Sequence, residues 1–375
     1  MKYSSTLAAL VPLVAAVGKI PDNFKPGARW QVEIQNPLIV PSSSTQKLVP
    51  DADIWDIDLW HADANRSIIP ALHAHDKIVI CYLNLGAVQP DECDFNTSWY
   101  KDGGKDNKWT GPWYYDANYD PDSPDNEGNR YCERYVDFTD TPIRDLMKAR
   151  LKTARDLGCD GVDPDNIDIS SITWGSGATP PTRKQVSAAL VDLAAYAHSM
   201  TSTRGFQFLI GQKNGAEYAA DLVGHYDFAV LERCLEAGFC GNFTGYLAAG
   251  KPVLAIEYPA SLEDAGDGTS GCNMTRESRC ESGDADCPCR DIGGEPFAGM
   301  DRVLKLDFDD FGLNGCTQYC DSRVVVTPTD TDNKGVCRYG GGSVAQFQQI
   351  LTGECVVAAM SAGWEVTPLP CTTIQ

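Results

Sequence analysis

The sequence predicts an α/β protein, a (β/α)8 barrel of the TIM type with a disulfide-rich C-terminal extension. Three observations carry that prediction. Short runs rich in β-branched and aromatic residues alternate with helical periodicity, the pattern of a parallel sheet. Eight such runs fall within roughly 290 residues, which suits a closed barrel. No glycine-rich phosphate fingerprint follows any of them, which counts against a dinucleotide-binding form of the runner-up, a doubly wound open sheet.

The first element is not part of the fold. Lys2, an apolar run from Leu7 to Val17 and then small residues read as a secretory signal peptide, residues 1–18, too short to span a membrane. Fifteen cysteines and four glycosylation sequons, at Asn65, Asn96, Asn242 and Asn273, fit the same oxidising, extracellular setting. The odd cysteine count leaves at least one thiol without an intrachain partner, and Cys81 and Cys159, inside strand patterns, are expected to be buried thiols.

The barrel is expected over residues 19–320. Its strands are predicted at 30–35 (WQVEIQ), 54–60, 77–85 (KIVICYLNL), 159–165, 206–214 (FQFLIGQKN), 226–234, 252–258 (PVLAIEY) and 302–309, with helices at 142–157 and 183–199. An insertion rich in Asp, Asn, Gly, Trp and Tyr separates the third and fourth strands, at 89–134. Residues 321–375, with Cys337, Cys355 and Cys371, form the predicted C-terminal extension.

Strand alternation sorts the acidic residues. In GCDGVDPDN, residues 158–166, Asp163 and Asp165 point to one face and Val162 and Pro164 to the other. Pro164 lacks a ladder donor and marks the strand's end, so both aspartates face the barrel mouth, while Asp160 sits at the strand's base as a structural residue. The same reading turns Glu232 inward on the sixth strand and Glu257 inward on the seventh, with Asp56 and Asp58 on the second, Asp307 and Asp309 on the eighth, and Lys213 and Asn214 closing the fifth. So many charges at one mouth are costly unless paired or used. A salt-bridge network around Lys213, Arg233 and Arg134 is the structural reading. Glycoside hydrolysis is the functional one: one carboxyl protonates the leaving oxygen while the other attacks the anomeric carbon or activates water. Among the tryptophans, which stack on sugar rings or fill cores, Trp60 and Trp174 stand nearest these strand ends.

These residues also occur in a known order. Trp30-Gln31, Asp56-Ile57-Asp58-Leu59, KIVICY ending at Tyr82, GCDGVDPDN, Lys213-Asn214 and Leu231-Glu232-Arg233-Cys234 together resemble glycoside hydrolase family 114, the endo-α-1,4-polygalactosaminidases, across roughly residues 28–320. The resemblance implies a barrel hydrolase needing no cofactor, with Asp165 and Glu232 as the catalytic pair. The preferred roles are nucleophile and acid/base, with the reverse assignment and an inverting pair left open. It places Asp58, Trp60, Tyr82, Asp163, Asn166, Trp174, Lys213, Asn214 and Glu257 around the substrate, and Cys234 and Cys240 in a disulfide. The chain departs from the family pattern at Asp163 (Glu in the family), Leu231 (Asn), Arg233 (Gln) and Asn84 (Ser), which bears on linkage and acetylation preference.

The implied substrate is an α-1,4-linked, partly N-acetylated galactosamine polymer, whose free amino groups are cationic. The net charge of −21 suits such a partner, and it excludes nucleic acid, whose phosphates it would repel. The acidic segment 116–127 lacks EF-hand spacing and reads as a solvated loop. His73 and His75 precede the third strand in a helical context, away from strand ends, so no metal is expected. No membrane partner is expected, and the chain reads as a monomer. The alternatives are a secreted barrel that binds carbohydrate without turnover and a glycosidase for a different polysaccharide.

Overall fold

The computed structural model describes residues 20–88, 92, 94, 110–113, 134–172, 179–258, 299–305, 313–320 and 324–330. Eight parallel strands follow one another around a curled sheet in chain order: β1 (Trp30–Glu33), β2 (Ile54–Asp58), β3 (Ile78–Asn84), β4 (Gly161–Asp165), β5 (Leu209–Lys213), β6 (Phe228–Glu232), β7 (Val253–Glu257) and β8 (Met300–Leu304). Each overlaps one of the eight expected strands. This is the sheet of a TIM-type barrel.

Alternation along the strands gives two apolar layers. Val32, Ile54, Ile80, Phe228, Val230, Leu254, Ile256 and Val303 fill the interior, while Ile57, Val79, Leu83, Val162, Ile210, Leu231 and Ala255 meet the helices outside. Gly211 makes the interior fit: a Cβ there would lie 2.4 Å from the Phe228 ring.

The helices form where the sequence caps them. Between β3 and β4 runs α3 (Thr141–Leu157), which starts with Pro142 in its first turn and stops at Gly158, left-handed at φ 109°. Its buried face, Ile143, Met147, Arg150, Leu151 and Ala154, recurs at helical spacing. The helix Arg183–His198, before β5, opens on a Thr182/Gln185 capping box. Among the described residues no helix is long and apolar enough to cross a membrane.

Side chains and a hairpin close the ring. Trp30 Nε1 donates to the Asp301 carbonyl (2.9 Å), and the buried Lys305 ammonium donates to the Val32 carbonyl (2.7 Å). Antiparallel to β8 lies β9 (Cys316–Tyr319), followed by β10 (Val324–Val326), and this hairpin reaches β1 through Tyr319 to Trp30 and Gln31 to Thr327. It spans the boundary expected at residue 320, because β10 belongs to the barrel sheet. The rest of the expected extension, the signal segment, Asp307 and Asp309 lie outside the described residues.

One expectation is corrected here. Cys81 and Cys159 are not free thiols but a disulfide, with Cα atoms 6.0 Å apart. Cys81 points outward from β3, and Cys159 precedes β4, the strand that pairs with β3. Cys234 and Cys240 form the second bridge, and Cys316 and Cys320 are also disulfide-bonded.

Candidate active site

The carboxyl ends of β3 to β7 bring the site together around one ammonium. Lys213, ending β5, is buried, and its Nζ lies 3.1 Å from Asp163, 3.8 Å from Asp165 and 3.6 Å from Glu232. Burial opposes its charge, but Asp163, Asp165, Glu232 and Asp56 outweigh that and hold it well above the ordinary lysine range. The expected ion-pair network and the expected site are thus one cluster. Arg233 pairs instead with Glu236.

The carboxylates differ in access. Side-chain exposure is 19% for Asp165 and 24% for Glu232, against 1% for Asp163. The first two can meet a substrate, and Asp163 cannot. Burial pushes Asp163 up to about 6, against the pull of Lys213.

Register explains the arrangement. A barrel of eight strands with a shear of eight advances one residue per strand around a layer, and each layer is filled by alternate strands. From Asp165 on β4 that step passes Asn214 and arrives at Glu232 on β6, so the two exposed carboxylates share the top layer. Tyr82 and Lys213 occupy the layer below, and the Lys213 ammonium sits 5.3 Å from the Tyr82 ring centroid.

Each exposed carboxylate is held by named donors. Tyr82 OH donates to Asp165 Oδ2 (2.7 Å), and the Asn166 amide donates to Oδ1 (2.9 Å). Asn166 is left-handed at φ 59°, and its side-chain amide donates to Asn84 Oδ1 (2.7 Å). The following loop is stitched to the same point by Leu85 and Gly86 amides on the Asp165 carbonyl. Gly86 is required there, because a Cβ would fall 1.6 Å from the Asn166 carbonyl oxygen. Arg150 of α3 completes the support, donating to the Asn84 carbonyl (2.6 Å) while paired with buried Glu92.

On β6, the Glu232 amide donates to Asn214 Oδ1 (2.8 Å), and Tyr258 OH donates to Glu232 Oε1 (2.5 Å). Arg233 then turns left-handed at φ 54°, its guanidinium 4.7 Å from the Tyr258 ring centroid, and the Cys234–Cys240 disulfide follows at once. Asn214 therefore positions Glu232.

Besides the buried Asp163, two expected placements differ in the structure. Glu257 faces out of the barrel, because Leu254 and Ile256 are the inward residues of β7, and its Oε1 accepts from the Leu235 amide (3.0 Å). Burial pushes Glu257 up to about 7. The inward place at that strand end belongs to Tyr258, which sequence reading missed, although it continues the alternation of Leu254 and Ile256. Trp60 lies in the first turn of α1 (Leu59–Ala64), against the outer core and 5.8 Å from the Arg150 guanidinium, because β2 ends at Asp58. Asp58 ends β2 and caps α1, accepting from the His61 amide (2.7 Å). Trp174 lies outside the described residues.

Asp160 is structural as expected, accepting from the Val79 amide (2.9 Å) and bonded to His73 Nε2 (3.0 Å). Cys234, Cys240 and Glu257 come within 4.8 Å of one another, but the two sulfurs are bonded together and offer no thiolate to a metal.

The model of glycoside-hydrolase family GH114 matches residues 14–325. Among solved structures, Ega3 of Aspergillus fumigatus, determined in complex with galactosamine, superposes with a TM-score of 0.58 at 26% identity, covering 82% of this chain and all of that one. The glycoside hydrolase domain of PelA from Pseudomonas aeruginosa gives a TM-score of 0.47 at 13% identity, covering 80% of this chain and 99% of that one. No curated protein matches.

Proposed function

This chain belongs to glycoside-hydrolase family GH114, and from that premise we propose that it is a secreted endo-hydrolase of α-1,4-linked galactosamine-containing polysaccharide. The observation that carries the proposal is the convergence of Asp165 and Glu232, both partly exposed, on the buried ammonium of Lys213.

A retaining double displacement suits that pair. Asp165, oriented by Tyr82 and the Asn166 amide, attacks the anomeric carbon while Glu232 protonates the departing glycosidic oxygen. A glycosyl ester forms on Asp165 and the leaving chain departs as an alcohol. Glu232 then removes a proton from water, which attacks the anomeric carbon and frees Asp165. Lys213 keeps two carboxylates compatible at close quarters.

The substrate class draws support from three sides. The neighbour at 26% identity was solved with galactosamine. The net charge of −21 draws a polymer of ammonium-bearing sugars toward the protein, and the acidic mouth gives it counter-charge. The N-terminal apolar segment and the sequons support secretion, and Asn65 and Asn242 are exposed.

The test is reducing-end release by the folded, secreted protein from a panel: partly deacetylated α-1,4-galactosamine polymer, its fully N-acetylated form and a neutral polygalactose. Cleavage of the first above the others supports the proposal. Preferred cleavage of another polymer moves the specificity, and binding without release establishes a carbohydrate-binding barrel instead.

A further inference from the structure

Below the reacting layer lies a second pair of carboxyls that the proposed chemistry does not use. One strand step at a time from Asp56 on β2, the layer reaches Asp163 on β4, then Val230 on β6 and Val303 on β8. Asp56 is wholly buried, and neither of its oxygens meets a hydrogen-bond donor among the described residues. Asp163 is equally buried; its Oδ2 accepts from Lys213, while its Oδ1 also lacks a donor. Three carboxyl oxygens thus stand without donors in one layer, otherwise lined by Val230 and Val303. Two ionised carboxylates have no hydrogen to share, whereas one proton between them satisfies both.

We propose that Asp56 is a positioning residue that stays protonated, its carboxyl O–H donating to Asp163 Oδ1 and so holding Asp163 charged and aimed at Lys213. This rests on the reading of Asp165 and Glu232 as the reacting pair, because Lys213 transmits the effect to them. The ionisable groups acting on Asp56 are Asp163 and Asp165 from β4 and Lys213 from β5. Burial and the Asp163 charge together hold the Asp56 carboxyl well above the usual range. A neutral acid at this position gives Asp163 a partner on each oxygen, and it lowers the negative charge gathered around one ammonium. Asp56 touches no substrate.

The infrared difference spectrum between wild type and Asp56→Asn at neutral pH reads the proton directly. The expected result is a carbonyl band of a protonated carboxylic acid, present in wild type and lost in the variant. This readout needs no substrate, so it judges Asp56 even if the polymer assay fails.

The kinetic arm separates a neutral donor from a carboxylate. Asp56→Asn keeps an N–H donor for Asp163 Oδ1, so kcat is expected within about three-fold of wild type with an unchanged pH profile. Asp56→Leu keeps the volume and removes the donor, so kcat is expected to fall about ten-fold or more, the scale of a lost hydrogen bond to a charged group. Circular dichroism and melting establish that each variant folds. If Asp56→Leu does not fold, the spectrum and Asp56→Asn decide. A missing band, or a folded Asp56→Asn as impaired as Asp56→Leu, overturns the proposal.

Discussion

Replacing Lys213 with Met removes the one cation that, among the described residues, Asp163, Asp165 and Glu232 share, while keeping an unbranched side chain of similar length. At the observed 3.1 Å to Asp163, Coulomb's law with an effective dielectric constant of 20 gives about 5 kcal/mol, a ceiling of about 4 pH units for that carboxyl. Water entering the emptied space trims that, so the expected effect is about 1 to 2 units. The sign follows from the charge: the ammonium pulls Asp163 down against its burial, so losing it moves Asp163 further above about 6. Asp163 therefore takes its negative charge only at higher pH, and the maximal rate falls about 100-fold or more as the pair loses its orientation. Stability falls as well, by about 3 to 5 kcal/mol, because a buried ion pair loses one partner. The assay is reducing-end release from pH 4 to 9, with folding checked by circular dichroism. Pairing Lys213→Met with Asp163→Asn removes the orphaned buried charge and is expected to recover stability without recovering rate. A folded Lys213→Met enzyme with the wild-type profile and rate would refute the reasoning.

Three further predictions test the surroundings. Tyr258→Phe deletes the hydroxyl that donates to Glu232 Oε1 and is expected to lower kcat about ten-fold with little change in melting temperature; a fall in stability with full activity contradicts its placement. Glu257→Gln leaves hydrolysis within about three-fold but changes the pH dependence of stability. The buried acid is pushed up from 4.5 to about 7, so its contribution is complete below about pH 4.5 and is lost as pH rises through about 7. The Gln variant lacks that loss, up to about 3 kcal/mol, and melting curves at pH 5 and pH 8 check it. Cys81→Ala with Cys159→Ala opens a loop of 78 residues, expected to cost about 4 kcal/mol of stability with kcat unchanged; unchanged melting would show that the bridge carries no stability.

What the sequence made legible was wherever polarity alternated. On β4, Asp163 and Asp165 stand two residues apart and fixed the inward face, although Asp163 lies buried below the mouth. On β6, apolar from Phe228 to Leu231, Glu232 was turned inward by its charge, and the structure places it near the Lys213 ammonium. On β7, Val253, Leu254, Ala255 and Ile256 are all apolar and carry no phase, so Glu257 was turned inward by its charge alone and Tyr258 was missed. The neighbouring strands could have supplied the phase: one residue of advance per strand from Glu232 leads to Glu257, and because alternate strands fill a layer that place on β7 faces outward, leaving Ile256 and Tyr258 inward. Trp60 was misjudged because the end of β2 depends on a cap, and Asp58 both ends the strand and starts α1. The Cys81–Cys159 bridge depends on strand adjacency across an insertion, which spacing along the chain does not encode. Asp56 was visible as a charge, but its burial beside Asp163 emerges only from the layer geometry.

The most direct test of the central claim is reducing-end release from partly deacetylated α-1,4-galactosamine polymer by wild type, Asp165→Asn and Glu232→Gln, each shown to be folded. Hydrolysis by wild type, with a loss of about 1,000-fold or more in both variants, is the predicted result for a pair that acts together. Wild-type rates in either folded variant would contradict the assignment of Asp165 and Glu232 as the groups that break the bond.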